Sequence, residues 1–174
     1  MNSILIKSTA LSNRALVAKA KGEIKARSLV IFAKMIGARW DVLIEFKAGM
    51  QSAATNGKTI YLPQLDVGND EDIELMEGLL DHEAGVHCRS TDFDVGQKTL
   101  NSNRLLGTIA NVLEDVWGER ELYRVKPGCW RSISRALDIM KDRGLFPAPT
   151  ATMEPVSILI SMLLCGLRSG HLAQ

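Results

Sequence analysis

Residues 79–93 read LLDHEAGVHCRSTDF. His82 and Glu83 stand together, and His87 follows Val86. A zinc-peptidase helix carries H-E-x-x-H, because histidines at i and i+4 share one face and can grip a single Zn²⁺. The glutamate between them then acts as general base on a metal-activated water. Here the i+4 position is Val86 and the second histidine stands at i+5. In a regular helix at ~100° per residue, i+4 lies ~40° from i, whereas i+5 lies ~140° away. Three readings are open. A one-residue insertion can be absorbed as a π-bulge, returning His82 and His87 to one side. The helix can instead end near Gly85, with His87 swinging in from a loop. Or the site no longer holds metal.

The segment leading into this stretch, GNDEDIELMEGLLDH, offers Asn69 or Asp70 as a helix cap, with acidic residues in the first turn. Ile73, Met76, Leu79 and Leu80 place its core on one face. Before it, DVLIEFKAG alternates as a strand, and TNGKTIYLP adds an Asn56-Gly57 turn and a second short strand ending at Pro63. The Ile60-Tyr61-Leu62 run is expected to form an edge to which an extended peptide could add. Farther upstream, residues 12–37 have the spacing of a long helix, capped at Ser12 or Asn13.

Downstream of a polar link over residues 90–103, RLLGTIANVLEDVWGERELYRV predicts an amphipathic helix stopped by Pro127-Gly128. Asn111, Asp115 and Glu119 are spaced i, i+4, i+8 and share a face, with Glu114 ~100° round from Asp115. A carboxylate from Glu114 or Asp115 would make a third ligand beside two histidines, leaving a position open for water. The other carboxylate, or Glu119, could orient His82. Pairing of these acids with Arg104, Arg120 and Arg124 is the alternative. Two more helices are expected near residues 129–143 and 155–168, the latter, with SILISMLLCGL, either deeply buried or an interface.

The 174 residues, 46% hydrophobic with net charge +1, suit one α+β domain, mostly helical, and point to no nucleic-acid partner. Cys88, Cys129 and Cys165 form no CxxC pair, which fits a reducing compartment. Cys88 reads as a small buried hydrophobe and His171 as a surface residue near the end. No apolar run reaches the ~18–20 residues of a membrane span. The N-terminal stretch, basic and without acids before Glu23, runs on into the first helix and reads as a solvated face, favouring a cytoplasmic protein.

HEAGVHCRSTDF followed by IANVLEDVWGERELYRVKPG resembles the pattern HE-x-x-H-x-x-x-TDF … N-x-LED-x-x-x-E … PG. That pattern belongs to the metallopeptidase-like (zincin) N-terminal region of cobaltochelatase CobT-type proteins, which carry a von Willebrand factor A domain further on. AATNGKTIYLP resembles the strand those proteins place before the HE helix. The resemblance implies a single zincin-like domain over 1–174, with a core at 10–128 and C-terminal helices at 129–174. It implies zinc held by His82 and Glu114 or Asp115, with Glu83 as general base. Asp92, in the match to TDF, and Glu119 would support the ligands. The match departs at Val86, with one residue more before Thr91, so that His87 stands where a shifted second ligand would. The implied activity is hydrolysis of a peptide or amide bond. The implied partners are a peptide or protein and, through the von Willebrand domain, a MoxR-type ATPase. The alternative is a metal-free pseudoenzyme acting as a protein-binding or inhibitory module.

Overall fold

The computed structural model describes residues 2–145 and 150–172. Its elements run α1 (Asn2–Ile36), β1 (Leu43–Lys47), β2 (Ala54–Thr55), β3 (Thr59–Pro63), α2 (Asp70–His82), a π-helical turn (Glu83–His87), α3 (Cys88–Ser90), α4 (Phe93–Ser102), α5 (Arg104–Val125), α6 (Gly128–Asp142) and α7 (Pro155–Leu172). The fold is α+β and mostly helical, with one small sheet. The side chains of Cys165 and His171 lie outside the described residues.

The hairpin forms where the Asn56-Gly57 step predicts it. Asn56 Oδ1 accepts from the backbone N–H groups of Lys58 and Thr59, and Gly57 takes φ 80°, a conformation that favours glycine. β2 and β3 pair antiparallel and β1 pairs with β3 in parallel, giving the order β1-β3-β2. The Ile60-Tyr61-Leu62 run is therefore the central strand. The sheet's edges are instead β1 and the two-residue β2, which pair with β3 on either side.

α2 starts at its foreseen cap, the Asn69 side chain accepting from the Glu71 N–H. Its Ile73, Met76 and Leu80 are buried in a core with Ala26, Leu29 and Ala33 of α1, Ile60 and Leu62 of β3, and Ala136, Ile139 and Met140 of α6. α6 runs so close along α2 that a Cβ on Gly78 would meet the Ser132 carbonyl oxygen at 2.3 Å. The same seam carries a buried polar pair, Ser132 Oγ donating to Asp81 Oδ2. Burial pushes the Asp81 carboxyl up to about 6, the Ser132 hydrogen bond opposing that shift.

Three expectations are revised. α1 begins at Asn2, ahead of the cap expected at Ser12 or Asn13. The polar link over residues 90–103 contains α4, capped by Asp92 and carrying no buried residue. Of the two settings expected for α7, deep burial is not met among its described side chains, which leaves the interface. Leu159 and Met162 are exposed, while Ile160 and Leu164 turn toward a cavity beneath it.

Candidate metal centre

The helix that begins at Asp70 does not stop at Gly85. It continues through one π-turn, in which the Cys88 N–H donates to the Glu83 carbonyl, an i→i+5 bond. The extra residue is absorbed, and the two imidazoles come together with ring centroids 5.0 Å apart, edge to face. Of the two ways of bringing His87 back that the spacing left open, the bulge is the one built.

α5 crosses this turn and delivers its acidic face. Asp115 Oδ1 lies 3.2 Å from His87 Nε2 and 3.7 Å from His82 Nε2. Ligand bonds of ~2.0–2.2 Å arranged as a tetrahedron set donor atoms roughly 3.3–3.6 Å apart, so these separations suit one small cation. One donor atom from each of His82, His87 and Asp115 lies within 4.8 Å of the others. The donor set, two neutral-capable imidazoles and a carboxylate, fits zinc.

The ring nitrogens turned away from this point are held. His82 Nδ1 is 3.0 Å from Glu119 Oε1, and His87 Nδ1 is 2.9 Å from Thr91 Oγ1. Such partners fix ring orientation and leave the two Nε2 atoms for a metal. Glu119 thus stands where its spacing from Asp115 predicts. Thr91 entered the sequence reading only as part of the TDF match, although its i+4 spacing from His87 is the signal that could have found it. Its placement follows from the helical turn of α3, whose end brings the Thr91 N–H to the His87 carbonyl at 3.0 Å.

Two sequence candidates fall elsewhere. Glu114 lines the cavity but is not among the three converging donors, because the ~100° between neighbours on a helix lets only one of the pair face the histidines. Asp92 is the N-cap of α4, its Oδ1 accepting from the Val95 N–H at 3.0 Å, so its carboxylate serves that helix rather than the ligands. Cys88 is buried with Sγ 3.5 Å from Thr55 Oγ1, and it is not in the donor group.

Electrostatics bind the cluster tightly in the absence of a cation. Burial pulls the His82 pKa down, yet hydrogen bonds and charge from Asp115 and Glu119 outweigh it and raise the value to about 10. Burial alone would raise Asp115, but the two histidines hold it well below the usual carboxylate range. Glu83 is 5% exposed, and burial raises its carboxyl against the opposing pull of His82 and His87.

A cavity of about 660 Å³ opens over the cluster. Its polar floor is His82, Glu83, His87, Asp115 and Glu119, with β2 along one side. Its far wall is apolar, from Leu100 of α4, Leu137 and Met140 of α6, and Ile160 and Leu164 of α7. Among the described residues, no lysine or arginine lines it. Among the described residues no helix is long and apolar enough to cross a membrane. Comparison with family models, curated proteins and solved structures returns no match to this chain.

Proposed function

We propose that the chain is a zincin-like, metal-dependent hydrolase domain that cleaves a peptide or amide bond. The observation that carries the reading is the convergence of His82, His87 and Asp115 on one point beside a buried glutamate, Glu83, at the floor of an open cavity. His82, His87 and Asp115 would hold a zinc ion. When bound, such an ion supplies Lewis acidity and lowers the pKa of a water toward ~7. Glu83 takes the proton from the attacking water and returns it to the leaving amine. Burial raises its pKa, which makes it a stronger base than an exposed carboxylate. Glu119 and Thr91 act through the imidazoles, keeping their Nε2 atoms directed at the cation. The apolar side chains of Leu100, Leu137, Ile160 and Leu164 favour an apolar stretch of substrate beside the centre.

The likeness to the CobT-type region, and with it a protein substrate or a MoxR-type ATPase partner, belongs to this proposal. So does a cytoplasmic location, in keeping with Cys88 and Cys129, both free and buried. The test is elemental analysis of untagged protein purified without chelators, beside a His82→Ala control. The expected result is about one zinc per chain, lost in the control. Absence of metal from both samples would sink the hydrolase reading and leave the metal-free binding module in its place.

A further inference from the structure

A π-turn inside a continuous helix is held by what packs against it, since its longer hydrogen-bonded ring is the less favourable form of the local backbone. Here the inserted residue is Val86, the one standing where a regular motif would have its second histidine. Its side chain is fully buried, at 0% exposure, in a small apolar cluster with Ile36, Leu122, Cys129 and Ile133. The residue it meets on α5 is Gly118. A Cβ built there would lie 2.4 Å from Val86 Cγ1, with Val86 Cβ at 3.4 Å and Cγ2 at 3.6 Å. The first distance is far inside contact, so Val86 Cγ1 occupies the room that a side chain at 118 would need. Valine is stiff at χ1 and cannot swing aside cheaply.

Gly118 lies between Asp115 and Glu119 on the same helix. The surface of α5 that admits Val86 is thus continuous with the surface that presents the carboxylates to the histidines. We infer that Gly118 is a positioning residue of this centre: its missing side chain is the notch that receives Val86 and holds the π-turn in the register that sets His87 beside His82. The consequence for metal rests on the metal-centre reading above, whereas the consequence for the two imidazoles does not. A methyl group at 118 must either expel Val86 from the turn or lift α5, and either movement parts the histidines from Asp115 and Glu119.

The experiment compares the parent chain, Gly118→Ala and the double variant Val86→Ala/Gly118→Ala. Imidazole ¹⁵N resonances are recorded on the metal-free proteins, cobalt(II) spectra and affinities on the loaded ones, and circular dichroism reports folding. In Gly118→Ala the His82 and His87 resonances are expected to move away from their parental positions. Cobalt affinity is expected to fall by roughly tenfold or more, the scale of a lost ligand-supporting contact, and the cobalt spectrum to change. In the double variant, where the interfering methyl of Val86 is gone, resonances and spectrum are expected to return to the parental pattern. A folded Gly118→Ala protein with parental imidazole resonances overturns the inference. If Gly118→Ala does not fold, the double variant decides: a parental pattern upholds the notch, and anything else overturns it. A parent chain that takes up no cobalt refutes the metal centre, while the imidazole resonances still judge the notch.

Discussion

α2 and the π-turn that continues it are one unbroken run of chain held by two different kinds of force. Asp70–His82 follows local rules. It has a side-chain cap at Asn69, acids in the first turn facing the helix N-terminus, and buried residues on a helical period. Glu83–His87 has no side-chain cap and four of its five residues are buried. It is surrounded by α1, α5 and β2, and Val86 shares its cluster with residues of α1, α5 and α6. The first segment would tend to be a helix anywhere; the second takes its shape only in this setting. The residues this run contributes to the candidate centre, His82, Glu83 and His87, all lie at the junction and beyond it, while Asp115 and Glu119 come from α5. A centre whose register depends on tertiary contacts can be lost without unfolding the protein, and the scaffold can be weakened without disturbing the centre.

The sharpest break between the two is expected at Glu83. Glu83→Gln removes the proton acceptor while leaving the three donors in place, so metal content should be unchanged and turnover of any substrate should fall by ~10²–10⁴-fold. Stability should hold or rise slightly, because an amide is cheaper to bury than a carboxylate whose pKa burial has raised. Metal analysis, a peptidase assay and denaturant unfolding on the same preparation would check all three. Retained turnover would remove Glu83 from the mechanism.

The reciprocal substitution lies in α2. Leu80 is 1% exposed in the main core, and Leu80→Ala should cost about 2–5 kcal/mol through lost burial and a residual cavity. Because Leu80 belongs to the regular segment, the folded variant should keep the parental metal stoichiometry well below its melting temperature. Loss of metal from a protein still folded by circular dichroism would show that α2 and the π-turn are a single cooperative unit, erasing the distinction between them.

The same division explains what could be read in the sequence. The cap at Asn69, the turn at Asn56-Gly57 and the core face of α2 are local signals, and each appears where its chemistry requires. The pairing of Asp115 with Glu119 also followed from spacing along α5. The choice between a bulge and a loop at Gly85 was not legible, because the contact that accommodates the bulge lies at Gly118, on another helix. Nor could Glu114 be told from Asp115, since that depends on how α5 is rolled against α2. Asp92 was legible as a supporting carboxylate only through the TDF match, whereas its side chain caps α4.

A further expected effect concerns pH, at the residue where the two segments join. His82 ends the regular segment with its pKa raised from 6.5 to about 10, because its hydrogen bonds to Asp115 and Glu119 outweigh the opposing cost of burial. The stabilisation from its charge is fully present below the unfolded value and is lost as pH rises through the folded one, so the metal-free protein should weaken between pH ~6.5 and ~10. Metal reverses the sign. A ligating imidazole must give up the proton on its Nε2, so uptake near pH 7.5 should release about one proton from His82, and apparent affinity should climb about tenfold per pH unit until that proton is gone. Competition with a chelator across pH 7–9, with calorimetry in buffers of different ionisation enthalpy, measures both quantities. An affinity that levels off just above pH 7 would mean that His82 is already neutral in the metal-free protein. Glu119 would then hold only the Nδ1–H, with Nε2 bare toward Asp115, and the acidic face of α5 would orient the histidine without charging it.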